Sequence, residues 1–409
     1  MTRLGIIFTG DELLCGSTLN TNIQYLGEAL TKRALRLHQA VTVPDSRASL
    51  HLALGNLLET CSTVLLCGGL GSTSDDITLD ACAGFFGLEL KQDENIARQL
   101  QCHWQKRHTG NCPKFMLRQA RVPEGARVLP NSCGTAPGIA FSTVYAKIPR
   151  QIYLLPGPPG EFQAMLETYV LPELEKSNAG KIYTLGFLAP NQGEIVINRL
   201  VDKLQLSGDL SCAYTAKPDG CRCFVSGPSE DAVKAAVERI REALPLALEA
   251  GEIDLAPAVV KLLAEKKLTL SCAESCTGGM ISARLTDVPG ASQVFAGGAV
   301  TYSNELKMHL LNVNASTLEE YGAVSRQCAE EMVNGICRNC QTHCGIAATG
   351  IAGPDGGTPE KPVGLVYLGL AVNGKVTTRE LRLAGSREHI RQRTAAIALS
   401  ELYQLLLEE

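Results

Sequence analysis

Residues 63–76, TVLLCGGLGSTSDD, hold the reading on which the fold turns. An uncharged run rich in apolar side chains enters a glycine pair and then a turn of Ser, Thr and Asp. A short apolar run bounded in this way is a buried strand. A helix pattern, ASLHLALGNLLETC, precedes it, and a second helix follows the turn. Helix, buried strand, glycine turn and helix make the repeating unit of a parallel sheet covered on both faces. Towards the N-terminus lie the strand LGIIFTG, the helix NTNIQYLGEALTKRAL and the strand RLHQAVTV, which ends at Pro44 and Asp45. The opening MTRLGIIFTGDELL has too short an apolar run for a signal peptide and is expected to be a first strand. LLPGPPGEF, residues 154–162, adds a glycine-proline turn after another strand. Ligands of such sheets bind at the carboxyl ends of the strands, where these turns lie.

The pattern returns in the last third of the chain. PAVVKLLAEKK leads into the strand LTLSCAES, and QVFAGGAVTYS, CGIAATG, VGLVYLGLAVNG and KVTTRELRLA read as further strands. STLEEYGAVSRQCAEEMVNGICRNC reads as one helix, and SREHIRQRTAAIALSELYQLLLEE closes the chain as another. Between the blocks, KIYTLGF, GEIVINRLVDKL, CAYTA, CRCFVSG and SEDAVKAAVERIREAL make a small α+β unit. The fold class expected is α/β: two parallel or mixed-sheet domains with helices on both faces, residues 1–175 and 251–409, joined by a small α+β domain at 176–250. A chain of 409 residues exceeds what one core usually organises, in keeping with this division.

With 45% hydrophobic and 20% charged residues the composition is that of an ordinary globular protein. The net charge of -4, with no basic patch, argues against nucleic acid as a partner. No stretch reaches the ~18 apolar residues of a membrane helix, and the cytoplasm is the expected compartment. The 16 cysteines are scattered rather than set in a small disulfide framework. CRNCQTHC gathers Cys337, Cys340, His343 and Cys344, but at one helix end, where four ligands would not converge. They are read as reduced thiols and no metal site is assigned there.

Chemistry concentrates first at SCAESCTGG, residues 271–279. A strand ends near Glu274, small residues turn the chain, and GMISARL begins a helix, so a side chain here sits beside unpaired N–H groups and a positive helix end. No G-x-S-x-G pattern or His/Asp pair supports histidine activation of a serine. A lysine can do that work if burial lowers its pKa. VTYSNELKMHLL supplies Lys307, with Tyr302 and Ser303 just before it. Spacing alone leaves Ser275 open as nucleophile or as simple helix N-cap. ATGIAGPDGGTPEKPVG offers Gly350, Gly353, Gly356 and Gly357 after a buried strand, where backbone amides can approach an anion. Arg387 and Arg391, one turn apart on the final helix, are read as a solvated face.

AESCTGG, VTYSNELK and TGIAGPDGGTPEKPVG together resemble the nicotinamide mononucleotide deamidase domain at the C-terminus of CinA proteins. The resemblance implies hydrolysis of the carboxamide of nicotinamide mononucleotide to nicotinate mononucleotide and ammonia, a step of pyridine-nucleotide salvage that takes no cofactor. It implies Ser275 as nucleophile, Lys307 as base and Tyr302 as its assistant, with Cys276 a bystander. Thr277, Gly278 and Gly279 would supply the oxyanion hole, and Thr349, Gly350, Ala352 and Gly353 the phosphate site. It also implies a homodimer.

In the first block, FTGDELLCGSTLNTN puts Asp11 and Glu12 at the end of the first strand, and VPDS puts Asp45 at the end of the second. CGGLGSTSDDITLD adds Asp75, Asp76 and Asp80 after the third. Carboxylates at three successive strand ends favour metal or pyrophosphate handling over solvated loop acids. With NSCGTAPG and LLPGPPGEF, these motifs resemble the other half of CinA proteins, a domain related to molybdopterin-binding proteins and associated with hydrolysis of ADP-ribose to AMP and ribose 5-phosphate. That implies a divalent ion (Mg, Mn or Co) held by Asp76 and Asp45. Ser72 stands where the family reads proline, which relaxes a φ restriction in the turn. The middle segment resembles the KH-like CinA linker but lacks a clear GxxG, so RNA binding is not implied. The alternative is a single active site, the first domain being a non-catalytic nucleotide- or molybdopterin-binding module.

Overall fold

A computed structural model describes residues 3–106, 109–176, 181–206 and 209–409. The chain forms two compact units, Met1–Thr184 and Leu185–Glu409.

In the first unit β1 (Leu4–Thr9) leads through the short helix α1 (Asp11–Leu14) and α2 (Thr21–Thr31) to β2 (Leu37–Val43), then through α3 (Arg47–Thr60) to β3 (Thr63–Cys67). Next come α4 (Thr78–Phe86), β4 (Leu90–Gln92), α5 (Glu94–Gln105) and β5 (Arg121–Pro123), the two short strands pairing with each other. β6 (Arg127–Leu129), β7 (Gly138–Tyr145), β8 (Ile148–Leu155), α6 (Pro159–Met165) and α7 (Leu171–Lys176) complete the unit. Its main sheet runs β2-β1-β3-β8-β7-β6. The first four strands are parallel, and β7 and β6 are antiparallel additions. Alternation along each strand feeds two cores. Ile6, Phe8, Leu65 and Tyr153 pack under α2, α6 and α7; Ile7, Val64, Leu66 and Ile152 pack under α3 and α4. The register aligns Phe8 with Cys67 and Cys67 with Leu155. The carboxyl ends of β1, β3 and β8 are therefore level, and their loops open on one place.

The second unit begins with a three-stranded sheet of β9 (Tyr183–Pro190), β10 (Ser211–Lys217) and β11 (Gly220–Gly227), ordered β10-β11-β9, with α8 (Glu194–Leu204) and α9 (Glu230–Glu242). α10 (Leu255–Lys266), β12 (Leu270–Glu274), α11 (Met280–Thr286), β13 (Phe295–Val300) and α12 (Asn304–Leu311) follow. Then come α13 (Ala315–Glu320), α14 (Arg326–Cys340), β14 (Cys344–Gly350), β15 (Leu365–Val372), β16 (Lys375–Arg382) and α15 (Arg387–Glu408). The five-stranded sheet is ordered β13-β12-β14-β15-β16, parallel through β14 and antiparallel beyond it. α10, α11 and α15 cover the face of Cys272 and Ile346, whereas α14 covers the face of Ala273 and Ala347. Asn191 donates to Ser400 at 2.8 Å and Arg393 to the Pro218 carbonyl at 2.6 Å, so the small sheet is tied to α15.

The α/β class with helices on both faces is therefore as the patterning leads one to expect. One element differs: the helix expected from Ser316 to Cys340 is two. Gly322 adopts φ 74°, a left-handed conformation that stops a helix, and Ser325 caps the next by accepting from the Cys328 N–H.

Candidate active site

β12 ends at Glu274, and residues 275–279 form the turn into α11. Ser275 hangs on β14 through its N–H, which donates to the Ala348 carbonyl at 2.9 Å. α12 starts just past the end of the neighbouring strand β13 and brings Lys307 back to the same level. Lys307 is 1% exposed, and its Nζ lies 3.1 Å from Ser275 Oγ, 2.8 Å from the Thr301 carbonyl and 3.4 Å from the Tyr302 carbonyl. Among the described residues no carboxylate pairs with it. Burial lowers its pKa from the ordinary lysine range. The Cys276 thiol is pushed up to about 11 by burial, so it stays protonated beside the serine.

The helix N-terminus is not open, contrary to the expectation from the turn. The buried Glu274 carboxylate accepts from Ile281 N–H at 3.0 Å, Ser282 N–H at 2.9 Å and Ser282 Oγ–H at 2.7 Å. Gly278 N–H donates to the Ser275 carbonyl at 3.1 Å, which removes it from the expected oxyanion donors. Thr277 and Gly279 N–H have no acceptor among the described residues, and the buried Thr277 hydroxyl has no partner.

Tyr302 is 61% exposed and does not bring its hydroxyl to Ser275; that oxygen accepts from Arg387 at 3.0 Å. Arg387 also donates to the Gly353 carbonyl at 2.7 Å, and Arg391 donates to the Cys276 and Thr277 carbonyls at 3.1 and 2.8 Å. Both arginines thus bind the site's main chain; Arg391 is half-buried there, whereas Arg387 remains exposed, as a solvated face would leave it. Nothing local in the sequence signals this, since 115 residues separate Arg391 from Cys276. The glycine-rich loop 350–357 follows β14. A Cβ on Gly350 would lie 2.8 Å from the Leu365 carbonyl, and one on Gly353 2.6 Å from Val363. Close packing accounts for these glycines, and Ile351 N–H is spent on the Leu365 carbonyl. Thr349 donates its hydroxyl to the Ala323 carbonyl at 2.7 Å, and Ala352 is buried beside it.

In the first unit the level strand ends enclose a cavity of about 470 Å³. Glu12, Asp45, Asp75, Asp76 and Glu161 line it, and among the described residues no lysine, arginine or histidine does. Asp11 contributes its N–H, which donates to Asp45 at 3.2 Å, while its own carboxylate stays outside the lining. Burial, then the charges of Asp11, Glu12 and Asp75, raise the Asp45 pKa. Asp76 accepts from Thr73 N–H and Oγ–H at 2.8 and 2.6 Å, and Arg118 holds the Thr73 and Asp76 carbonyls. These bonds fix the turn that Ser72 leaves without proline. Asp80 is not brought to the cavity. Although burial pushes its carboxyl up, Arg121 at 2.7 Å and Arg118 at 3.3 Å hold it below the usual range in an ion-pair cluster. Two buried amide oxygens of the lining, Asn22 Oδ1 and Gln119 Oε1, have no partner among the described residues. Nδ2 of Asn22 donates to the Gly157 carbonyl at 2.8 Å, which leaves that oxygen as a free acceptor.

Cys337 and Cys340 lie on α14, Cys344 begins β14, and His343 bonds Thr269 through Nδ1. Among the described residues no group of three or more His, Cys, Asp or Glu is arranged to hold a metal directly, and no helix is long and apolar enough to cross a membrane.

Comparison with known proteins places both halves. A family described as "CinA C-terminal domain" matches residues 252–406, and one described as "Probable molybdopterin binding domain" matches residues 5–176. A "Putative competence-damage inducible protein" of Caldicellulosiruptor bescii is 42% identical over 98% of this chain and 99% of its own. A "CinA-like protein" of Dictyoglomus thermophilum is 40% identical over 99% of both. The crystal structure of the competence/damage inducible protein CihA from Agrobacterium tumefaciens, 44% identical, covers 37% of this chain and 93% of that one with a TM-score of 0.36. With full-length relatives at this identity and both halves matched, the chain belongs to the CinA family.

Proposed function

We propose that the second unit is an amidohydrolase that converts nicotinamide mononucleotide to nicotinate mononucleotide and ammonia. The observation that carries the reading is the buried contact of 3.1 Å between Lys307 Nζ and Ser275 Oγ, with no carboxylate among the described residues to hold the lysine charged. A neutral amine has two N–H groups and one lone pair. The Thr301 and Tyr302 carbonyls accept the two N–H groups, which aims the lone pair at the serine hydroxyl. In the proposed cycle Lys307 takes that proton as Ser275 Oγ attacks the carboxamide carbon. The oxyanion is received by amides of the turn. The Lys307 ammonium then gives its proton to the departing nitrogen, and ammonia leaves. Water, deprotonated by the same amine, hydrolyses the acyl-serine and restores the hydroxyl. Arg387 is charged and at hand for the nucleotide phosphate, and its bond to Tyr302 gives the tyrosine a place at the mouth of the site rather than in the proton path.

The test is ammonia release from nicotinamide mononucleotide. Ser275→Ala is expected to lose at least ~10³-fold in kcat, and Cys276→Ala to stay within about threefold, since a thiol held protonated is no nucleophile. A silent folded wild type would end the reading, and an active Ser275→Ala would move the nucleophile elsewhere.

For the first unit we infer metal-dependent hydrolysis of ADP-ribose, with a non-catalytic nucleotide- or molybdopterin-binding module as the alternative. The acidic lining, without a basic side chain among the described residues, suits a hydrated cation, and the orphaned Asn22 and Gln119 oxygens suit its water ligands. Asp45 and Asp76 would hold the ion, which when bound neutralises pyrophosphate charge. AMP release with Mg, Mn or Co, absent without them, is the expected result.

A further inference from the structure

The turn that carries Ser275 leaves few amides to receive an oxyanion. Ile281 and Ser282 N–H belong to Glu274, Gly278 N–H belongs to the Ser275 carbonyl, and Met280 N–H reaches the Thr277 carbonyl at 3.4 Å. Among the described residues the N–H groups of Cys276, Thr277 and Gly279 remain. What orients them comes from α15. Arg391, half-buried, sends Nε to the Cys276 carbonyl at 3.1 Å and Nη2 to the Thr277 carbonyl at 2.8 Å, holding two successive peptides from one planar fork. A Cβ on Gly278, whose φ is 61°, would lie 3.2 Å from that same Nη2, so the guanidinium fits against bare backbone.

In a trans peptide the N–H points opposite to the C=O. Two carbonyls drawn to Arg391 therefore turn the Thr277 and Gly278 N–H groups away from it. The second of these meets the Ser275 carbonyl, so that side of the turn faces the main chain of the serine. We propose that Arg391 is a positioning residue: by fixing the Cys276–Thr277 and Thr277–Gly278 peptides it presents the Thr277 N–H to the oxyanion, and its charge strengthens that donor. The proposal rests on the amidase reading of the same site.

Arg391→Ala is expected to lower kcat for ammonia release roughly 10–100-fold, less than the outright loss of an oxyanion donor, with KM within about twofold. Millimolar guanidinium should restore part of kcat to Arg391→Ala and nothing to Ser275→Ala. Arg391→Lys, whose single ammonium can hold one carbonyl, should fall between. This variant and the rescue also decide the matter if Arg391→Ala folds poorly. Unchanged kcat, a rise confined to KM, or no rescue in a folded variant would overturn the proposal. Labelling of Ser275 by a fluorophosphonate, read by intact mass, separates it from the substrate assignment. If wild type is labelled but releases no ammonia, the amidase reading fails alone. Slower labelling of Arg391→Ala then sustains the positioning role, and equal labelling overturns it. A wild type neither labelled nor active overturns both.

Discussion

Lys307 shows how one side chain is prepared for chemistry at a cost in stability. Its ammonium is out of water with only neutral oxygens for company, so its folded pKa lies below its unfolded one. Between the two values the unfolded chain binds more protons, and stability rises with pH through that window. Below that window the full cost of the buried charge is present, and at neutral pH, under the unfolded value, a cost remains. Lys307→Met is therefore expected to be inactive yet at least as resistant to urea as wild type at pH 7, a comparison of unfolding midpoints. The same shift sets the acid limb of kcat/KM, which should rise with pH through a midpoint below the ordinary lysine range. Lys307→Arg, charged throughout, should abolish activity at every pH.

At the scale of elements the site depends on how closely α12 and α14 approach. Gly335 of α14 sits where a Cβ would come 1.9 Å from the Leu311 carbonyl, at the end of the helix that bears Lys307. Backbone cannot yield as a side chain does, so Gly335→Ala should cost about 2–3 kcal/mol in urea unfolding and depress ammonia release by shifting α12. The outline of this arrangement was legible in the sequence. A buried strand ending at Glu274, a small-residue turn and a following helix place Ser275, and a short helix after a strand returns Lys307. Periodicity and turn residues are local, and these elements are local too. Local pattern did not mark the break at Gly322, where a single left-handed residue and the Ser325 cap outweigh helical composition on both sides. Nor did it reveal that Glu274 caps α11 or that Arg391 reaches the nucleophile turn. Those are contacts of side chains across a sheet, and a charged residue on a helix carries no sign of what folds against it. Gly350, Gly353 and Gly357 are ambiguous for a related reason: close packing against Val363 and Leu365 and close approach of an anion demand the same residue.

For the molecule as a whole, each candidate site draws its residues from one of the two compact units. Asp76→Ala is accordingly expected to remove AMP release from ADP-ribose while ammonia release stays within about twofold of wild type. A metal chelator should reproduce that split in the unmodified protein, with both products followed in parallel. The unequal distribution of thiols divides the molecule in another way. None of the 16 cysteines is in a disulfide, and the three that are exposed, Cys15, Cys102 and Cys133, all belong to the first unit. Cys15, its pKa lowered by the Ser17 hydroxyl, stands in the loop that leads from Asp11 and Glu12. Oxidation follows thiolate character and access to solvent. A preparation ageing in air thus tarnishes beside the carboxylate cavity first, while the sulfur next to the serine stays sealed from the oxidant in the core.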